Sequence, residues 1–343
     1  MSKLFFIFPV EGPINGVKII AGEVLQRMRA EGIPLELIDT AQAKDHKDFG
    51  TFSVKKVLSS FSFFKRIKDI KAQDIVYLNF TPNGLSFYRD LAFLKLLGRK
   101  NRNTFIHIHA NGLEYKSGLA KKLLRNTHCI VINQRQYENL SFFKNRYLLP
   151  NALPDYYAEN WQPARVNPKF RLLYISNFSL KKGTKRLQKL ATWIEDEQLD
   201  CELILAGGVL DTTSEEILNQ LRQKPFVRYL GFVTEKAEKM ELIKSSDVVL
   251  MLSDDNYEVY PLIYIESFMA GTTVLTTPQT VDSDFLKNGV ALRFNRENLL
   301  FLYGQFHDEQ VKKEHTERAR NYYLQHMEFG LYFDRLKKIL FHE

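Results

Sequence analysis

Short apolar runs alternate with longer amphipathic stretches along most of the chain. Runs rich in Val, Ile, Leu and Phe are typical of strands buried on both faces of a parallel sheet. The predicted strands are residues 3–9, 34–39, 74–80, 104–109, 128–132, 146–149, 201–206, 227–231, 248–252, 272–277 and 290–294, with a further strand starting at Phe170. Helical patterns lie between them, and this alternation predicts an α/β fold built from two doubly wound parallel sheets.

The segment from Val248 to Thr277 combines a buried strand, a polar loop, a helix and a second strand. Pro261 fits the first helical position, where its missing N–H costs nothing, and Gly271 fits the helix end. Two carboxylates interrupt the apolar pattern, Glu258 before the helix and Glu266 within it. A carboxylate in apolar surroundings needs hydrogen-bond donors, which the hydroxyls of a sugar or a ribose can supply.

A second polar loop follows the strand that starts at Phe170. Lys182 and Gly183 lie where this loop leads into a helix. A lysine in that position can place its ammonium group on a diphosphate, while the free N–H groups of the helix add donors. Lys182 is therefore a candidate anion-binding residue, and an ordinary surface lysine is the alternative.

Two features near the ends of early strands are candidates for ligand contact. Gly12 and Gly16 bracket the loop after the first strand, although neither a Walker A sequence nor the dinucleotide fingerprint is present. His107 and His109 alternate on one strand and so point the same way. His109 ends that strand, and either ligand contact or a local hydrogen bond can account for it.

The segment EVYPLIYIESFMAGTTV, from Glu258 to Val274, resembles the E-x7-E signature of retaining glycosyltransferases of family 4, which have the GT-B fold. The resemblance implies that Glu258 contacts the donor sugar, Glu266 the ribose and Lys182 the diphosphate. It implies catalytic roles for Glu258, Lys182 and His109, and donor binding by Gly16, Asn177, Lys182, Glu258, Tyr260, Leu262, Glu266, Gly207 and Val233. Two departures stand out, since the family often has Arg at the position of Asn177 and Gly at that of Pro261.

The resemblance also implies a domain organisation. An acceptor-side Rossmann-like domain is expected over residues 1–160 and a nucleotide-sugar-binding one over residues 161–325, with the two facing a cleft. Residues 326–343 are expected to form a helix that crosses back to the first domain. The whole tail from Asp308 to Glu343 has a helical pattern.

Charge is unevenly distributed along the 343 residues. Residues 1–165 hold 25 Lys and Arg against 14 Asp and Glu, and the remainder holds 23 against 26. Nucleic acid, an anionic membrane surface and a phosphorylated acceptor can each explain a basic half. No nucleic-acid-binding signature accompanies the charge, which argues against nucleic acid.

The stretch from Thr51 to Lys71 is the strongest membrane candidate in the sequence. Val54, Val57, Leu58, Phe61, Phe64 and Ile67 recur at helical spacing among six Lys and Arg. Such a basic amphipathic helix can lie on an anionic leaflet, or it can pack its apolar face on the sheet. Both interpretations stay open.

Few residues suggest redox or metal chemistry. The two cysteines, Cys129 and Cys201, lie in apolar strand-like runs and are expected to be buried free thiols in a reducing cytoplasm. No Cys/His cluster has metal-ligand spacing, and Asp254 and Asp255 lack the Asp-x-Asp pattern. We therefore expect no metal and no cofactor beyond the nucleotide-sugar substrate.

The sequence thus predicts a cytoplasmic enzyme that transfers a sugar from a nucleotide sugar to a hydroxyl with retention, and it leaves contact with the inner face of the membrane open. A glycan or lipid-linked acceptor, as in bacterial surface polysaccharide or lipopolysaccharide synthesis, fits the basic first half. A nucleotide-sugar epimerase and a non-catalytic scaffold of a polysaccharide assembly complex are the alternatives. The donor base and sugar, the acceptor and the linkage cannot be inferred from the side chains.

Overall fold

The computed structural model describes residues 2–12, 15–41, 64, 66–98, 101, 103–163, 167–254, 257–277 and 282–342. The chain divides into two compact units. The first comprises Met1–Pro154 together with Phe329–Glu343, and the second comprises Asp155–Glu328. Most of the predicted amphipathic helix at 51–71, namely residues 51–63 and 65, lies outside the described residues.

The first unit is built on a parallel sheet of six strands. They are β1 (Leu4–Phe8), β2 (Leu35–Asp39), β3 (Ile75–Asn79), β4 (Thr104–Ile108), β5 (His128–Val131) and β6 (Asn145–Leu148), in the order β2-β1-β3-β4-β5-β6. Its helices are α1 (Gly16–Ala30), α2 (Gly84–Leu97), α3 (Gly118–Leu124), α4 (Gln134–Asn139) and, at the end of the chain, α12 (Phe329–Phe341). The chain thus returns to its first unit, where Lys337 of α12 lies 2.9 Å from the carboxylate of Glu31.

The second unit repeats this architecture. Its strands are β7 (Phe170–Ile175), β8 (Cys201–Ala206), β9 (Val227–Tyr229), β10 (Val248–Met251), β11 (Thr273–Thr276) and β12 (Ala291–Arg293), in the order β12-β11-β10-β7-β8-β9. Its helices are α5 (Thr184–Asp196), α6 (Thr212–Leu221), α7 (Lys236–Lys244), α8 (Leu262–Ala270), α9 (Asp282–Lys287), α10 (Arg296–Gln305) and α11 (Glu309–His326). The two doubly wound sheets predicted from the sequence are therefore confirmed.

Two helix boundaries differ from their predictions. Pro261 is the N-cap of α8 and not its first helical residue, because its ψ of 128° is extended, and α8 begins at Leu262. The helical tail is interrupted at Met327 and Glu328, so that it forms α11 and α12. The interruption separates a helix that packs against α8 in the second unit from one that belongs to the first unit.

Two histidines, the buried His107 and the half-buried His109, lie side by side on β4 and its end. The rings of His107 and His109 are 4.0 Å apart, and the Tyr77 hydroxyl lies 2.6 Å from Nδ1 of His107. The Nε2 atoms of both histidines are buried without a hydrogen-bond partner among the described residues. Burial lowers the pKa of His109 to about 3 and holds the pKa of His107 well below its usual range. Both imidazoles are therefore neutral at pH 7.

We expect this pair to make the protein sensitive to acid. Below about pH 6.5 the unfolded chain binds protons on these histidines while the folded chain does not, so stability falls as pH decreases toward the folded pKa. Between pH 7 and 5.5 the free energy of unfolding should fall by about 1–3 kcal/mol because of the pair. Urea unfolding followed by far-ultraviolet circular dichroism at the two pH values measures this.

Two variants separate this effect from general acid sensitivity. His109→Gln should reduce the loss of stability, whereas His307→Gln, at an exposed position of the second unit, should leave it unchanged. An equal loss of stability in the wild type and in His109→Gln would contradict the interpretation.

The described residues contain no helix that is long and apolar enough to cross a bilayer.

Candidate functional site

The candidate site of the second unit lies at the carboxyl ends of two adjacent strands. β7 and β10 pair in parallel, with Leu172 opposite Val248 and Leu173 opposite Val249. The polar loops that follow both strands therefore emerge at the same edge of the sheet. This is where ligands bind in open parallel sheets, because free N–H groups at helix N-termini gather there.

A glycine lets the two loops touch. Lys182 ends a short 3₁₀ turn, Leu180–Lys182, and Gly183 follows with a φ of 93°. A Cβ atom at Gly183 would lie 2.1 Å from the main-chain oxygen of Leu252, at the end of β10. The hydroxyl of Tyr174, in β7, donates to the main-chain oxygens of Lys182 and Asn177 at 3.0 and 3.1 Å. This shared hydrogen bond anchors the loop to β7.

Lys182 and Glu258 meet across this contact. The Lys182 ammonium forms a salt bridge with Oε1 of Glu258, and the hydroxyl of Ser253 donates to the same oxygen at 3.2 Å. Each of the two charged side chains is 21% exposed, so both remain reachable from solvent. The ammonium also lies 5.4 Å from the centre of the Tyr257 ring. One cation and one carboxylate are thus held together at the mouth of the site.

Glu266 has a partner that sequence reasoning missed. It is buried in α8, and Nζ of Lys239 in α7 lies 2.7 Å from its Oε1 and 2.6 Å from its Oε2. The donor expected from a ligand is therefore supplied, in part, by the protein itself. Nothing in the local pattern of α7 distinguishes Lys239 from the two other lysines of the segment KAEKMELIK, so only the packing of α7 on α8 reveals it.

These four charged residues line one pocket with a volume of about 150 Å³. Lys182 pairs with Glu258 and Lys239 pairs with Glu266, and Leu252 and Leu262 supply apolar surface. Two ammonium groups suit phosphate oxygens, and two carboxylates accept hydrogen bonds from hydroxyls. The pocket can therefore bind a molecule that carries both phosphate and hydroxyl groups.

The other residues of the second unit that the sequence predicts to bind the sugar donor are Asn177, Gly207, Val233 and Tyr260. Asn177 follows the pocket residue Ser176, and its Oδ1 accepts the N–H of Gly208 at 3.3 Å. Gly207 has a φ of 141°, and an added Cβ would lie 2.0 Å from the main-chain oxygen of Ser176. Val233 is half-buried after β9. Tyr260 packs edge-on against the ring of Phe285, 6.4 Å away.

Two candidates lie in the first unit. Gly16 is the first residue of α1, whose N-cap Asn15 accepts the N–H of Lys18 at 3.1 Å through its side chain. Gly16, which the sequence places at the end of the loop, is thus the residue at which the helix begins. His109 directly follows β4 at the carboxyl edge of the sheet, beside the buried His107.

Among the described residues, Lys182 and Lys239 are the cations that line the pocket. Arg186, a conceivable substitute for the missing arginine, has its Nη1 2.7 Å from Oδ1 of Asp254 and 3.0 Å from the main-chain oxygen of Leu252. Across the described ranges no group of three or more His, Cys, Asp or Glu is arranged to hold a metal ion. Within the pocket, cationic charge therefore comes from Lys182 and Lys239.

Residues 157–314, just under half of the chain, match the family model described as glycosyl transferases, group 1. Solved structures match the chain over nearly its full length. Anabaena HepE, in complex with UDP and glucose, has a TM-score of 0.68 at 13% identity, covering all of both chains. The chain has the GT-B fold. The apo lipopolysaccharide outer core galactosyltransferase WaaB has a TM-score of 0.70 at 14% identity, with 100% of this chain and 99% of WaaB covered.

A glycosyltransferase from Rickettsia africae shares the GT-B fold with a TM-score of 0.73 at 12% identity, covering 99% of this chain and 98% of the other. No curated protein matches the chain in sequence. The segment that matches the family model contains Lys182, Lys239, Glu258 and Glu266. The charged pocket therefore belongs to the part of this GT-B chain whose sequence resembles glycosyl transferases.

Proposed function

We propose that the protein is a retaining glycosyltransferase that moves a sugar from a nucleotide sugar to a hydroxyl of a glycan or lipid-linked acceptor. The observation that carries the proposal is the pocket in which two lysines and two glutamates converge within the segment that matches the family model. A nucleotide sugar offers the matching chemistry, with a diphosphate for the lysines and hydroxyls for the glutamates. A uridine diphosphate sugar is the first donor to test, since HepE was solved with UDP and glucose.

Each pocket residue has a role in the proposed reaction. Lys182 neutralises the negative charge that develops on the departing diphosphate, and Glu258 orients the sugar through its hydroxyls. Glu266, held by Lys239, accepts hydrogen bonds from the ribose. The bond between the anomeric carbon and the diphosphate oxygen breaks, and the acceptor oxygen bonds to the same face of the sugar. The acceptor proton moves to the departing phosphate, so no protein nucleophile is needed.

We propose that the reaction is independent of divalent metal ions, because Lys182 supplies the charge that a metal would otherwise provide. Turnover should then continue in the presence of a chelator. Gly16 and His109, at the carboxyl edge of the first sheet, are proposed to contact the donor or the acceptor.

The first unit is proposed to receive an anionic or lipid-linked acceptor of bacterial surface polysaccharide synthesis. It holds 27 Lys and Arg against 14 Asp and Glu, whereas the second unit holds 21 against 26. A net positive charge attracts anionic glycans and anionic lipid surfaces. The two buried, free cysteines fit a reducing cytoplasm, where we place the protein at the inner face of the membrane.

The test measures donor cleavage and stereochemistry. Thermal-shift measurements with UDP-, GDP-, ADP- and CMP-sugars should identify one stabilising donor, and release of its nucleoside diphosphate in the presence of acceptor should then be measured. Proton NMR of the product should show the anomeric coupling of the donor sugar. An inverted anomer would exclude the retaining mechanism, and stabilisation by no nucleotide sugar would exclude the proposed function.

A non-catalytic scaffold is the second candidate. It is favoured by Asn177, which occupies the position where the resembled family often has an arginine and whose Oδ1 already accepts a main-chain N–H. Comparison of the wild type with Glu258→Ala separates the two functions. Equal, background release of nucleoside diphosphate by both proteins, despite donor binding, would support the scaffold.

Lys239 offers a further test of the pocket. Lys239→Met leaves the buried carboxylate of Glu266 without its counter-charge and removes one cation from the pocket, so donor affinity should fall about tenfold or more. Titration calorimetry with UDP measures the change. Lys239→Arg should retain most of the affinity, and the matched Lys236→Met, at an exposed position of the same helix, should retain all of it. Unchanged affinity in Lys239→Met would remove Lys239 from the site.

A further inference from the structure

Helix α2 of the first unit presents apolar residues to solvent. Its inner face packs Phe87, Leu94 and Leu97 into the core. Its outer face carries Leu85, Tyr88 and Leu96, which are 54–69% exposed. Surface helices of globular proteins normally place polar residues outward. The apolar outer face of α2 departs from this pattern, which indicates that another molecule covers it.

The neighbouring helix α3 and the turn before it also expose apolar residues. Tyr115 and Leu119 are 80% and 70% exposed, and Leu123 is also exposed. The two elements are adjacent, because the Lys116 ammonium lies 4.7 Å from the centre of the Phe87 ring. Leu85, Tyr88, Leu96, Tyr115, Leu119 and Leu123 together form what we call the α2–α3 face. Exposed apolar residues gathered on neighbouring elements mark interaction sites.

The α2–α3 face is surrounded by positive charge. Among the described residues between Gly84 and His128 there are six Lys and Arg and two acids, Asp90 and Glu114. Both acids are engaged internally. Asp90 is buried, with a salt bridge to Arg89 and a hydrogen bond from the Thr81 N–H, and Glu114 accepts the N–H of Gly112 at 2.9 Å. The basic side chains around the face, including the exposed Lys95, Lys122 and Arg125, thus dominate its charge.

We propose that the α2–α3 face docks on an anionic phospholipid bilayer. Tyr and Leu side chains would insert at the level of the headgroups, while the lysines and arginines would contact lipid phosphates. A second copy of the chain is disfavoured, because a symmetric contact would bring two strongly positive faces together. Docking of this face would bring the protein to a lipid-linked acceptor on the bilayer. Only this link to the acceptor rests on the proposed function, and the docking itself does not.

The experiment measures sedimentation of the full-length protein with vesicles of phosphatidylcholine alone or mixed with phosphatidylglycerol. The wild type should bind the anionic vesicles, and salt should weaken the binding. Tyr88→Ser combined with Leu119→Gln should weaken binding at least about tenfold, since two inserting side chains are lost. Lys122→Gln combined with Arg125→Gln should weaken it by about fivefold for each charge removed.

Phe301→Ser combined with Leu324→Gln is the matched control. It makes a similar change on exposed apolar residues of the acidic second unit, and it should bind vesicles as the wild type does. Thermal shift by UDP, measured on every variant, reports folding and donor binding separately from vesicle binding. A protein that binds vesicles but no nucleotide sugar would therefore fail the proposed function and not this inference.

Three results would overturn the inference. The first is wild-type binding that does not depend on phosphatidylglycerol. The second is wild-type-like binding by the Tyr88 and Leu119 double variant, which would place membrane contact elsewhere in the chain. The third is a dimer of the wild type that the same double variant converts to a monomer, which would make the α2–α3 face a self-association surface.

Discussion

Lys182→Met should lower the rate of nucleoside diphosphate release by about 10²–10³-fold while leaving the protein folded. The ammonium of Lys182 is the cation held beside Glu258 at the mouth of the pocket, where the departing diphosphate is proposed to lie. Its loss removes charge stabilisation that is needed most in the transition state, so the change should appear mainly in kcat. Steady-state kinetics with the donor identified by thermal shift measure it.

The matched control is Lys185→Met. Lys185 lies in the first turn of α5, three residues after Lys182, but it is exposed and does not line the pocket. Near wild-type turnover is expected for it. If both variants lost activity to the same extent, general positive charge on this loop would explain the result, and the specific role of Lys182 would be rejected.

Gly183→Ala should destabilise the protein by about 3 kcal/mol or more and should also abolish turnover. The φ of 93° disfavours any side chain, and an added Cβ would lie 2.1 Å from the main-chain oxygen of Leu252. Neither the added Cβ atom nor the main-chain oxygen of Leu252 can move without its backbone. The loop that carries Lys182 would therefore have to move away from β10. Denaturant unfolding followed by tryptophan fluorescence reports the second unit, because Trp161 and Trp193 both belong to it.

Gly304→Ala provides the comparison for this substitution. Gly304 lies within α10, and an added Cβ there would meet no atom within 4 Å. Because Gly304 is the last residue but one of α10, the higher helix propensity of alanine should change stability by no more than about 0.5 kcal/mol. A similar, small effect of both substitutions would show that the close approach at Gly183 does not hold the two loops together.

The pocket residues were identifiable from the sequence to different degrees. Lys182, Glu258 and Glu266 stand out because charged residues interrupt a regular pattern of strand and helix next to turn residues. Lys239 does not stand out, since it is one of several lysines on a surface helix and becomes a pocket residue only through packing against α8. The hydrogen bond that Oδ1 of Asn177 accepts from the Gly208 N–H could not be predicted from the sequence, because it joins loops at the ends of two different strands.

The α2–α3 face shows a second limit of sequence reasoning. The helix α2 has the sequence GLSFYRDLAFLKLL, in which apolar residues occur on all sides. Such a pattern does not say which face enters the core. The sheet selects Phe87, Leu94 and Leu97 as the inner face, and Leu85, Tyr88 and Leu96 are thereby left in solvent.

The sequence by itself determined the alternation of strands and helices, because strands buried on both faces must be apolar and their connecting loops must be polar. It also determined which loops carry charge at strand ends. Only the tertiary structure decided that β7 lies beside β10, that Lys182 therefore meets Glu258, and that Lys239 meets Glu266. The physical reason is that these contacts join segments 76 and 27 residues apart, whose proximity depends on strand order and helix packing and on no local pattern.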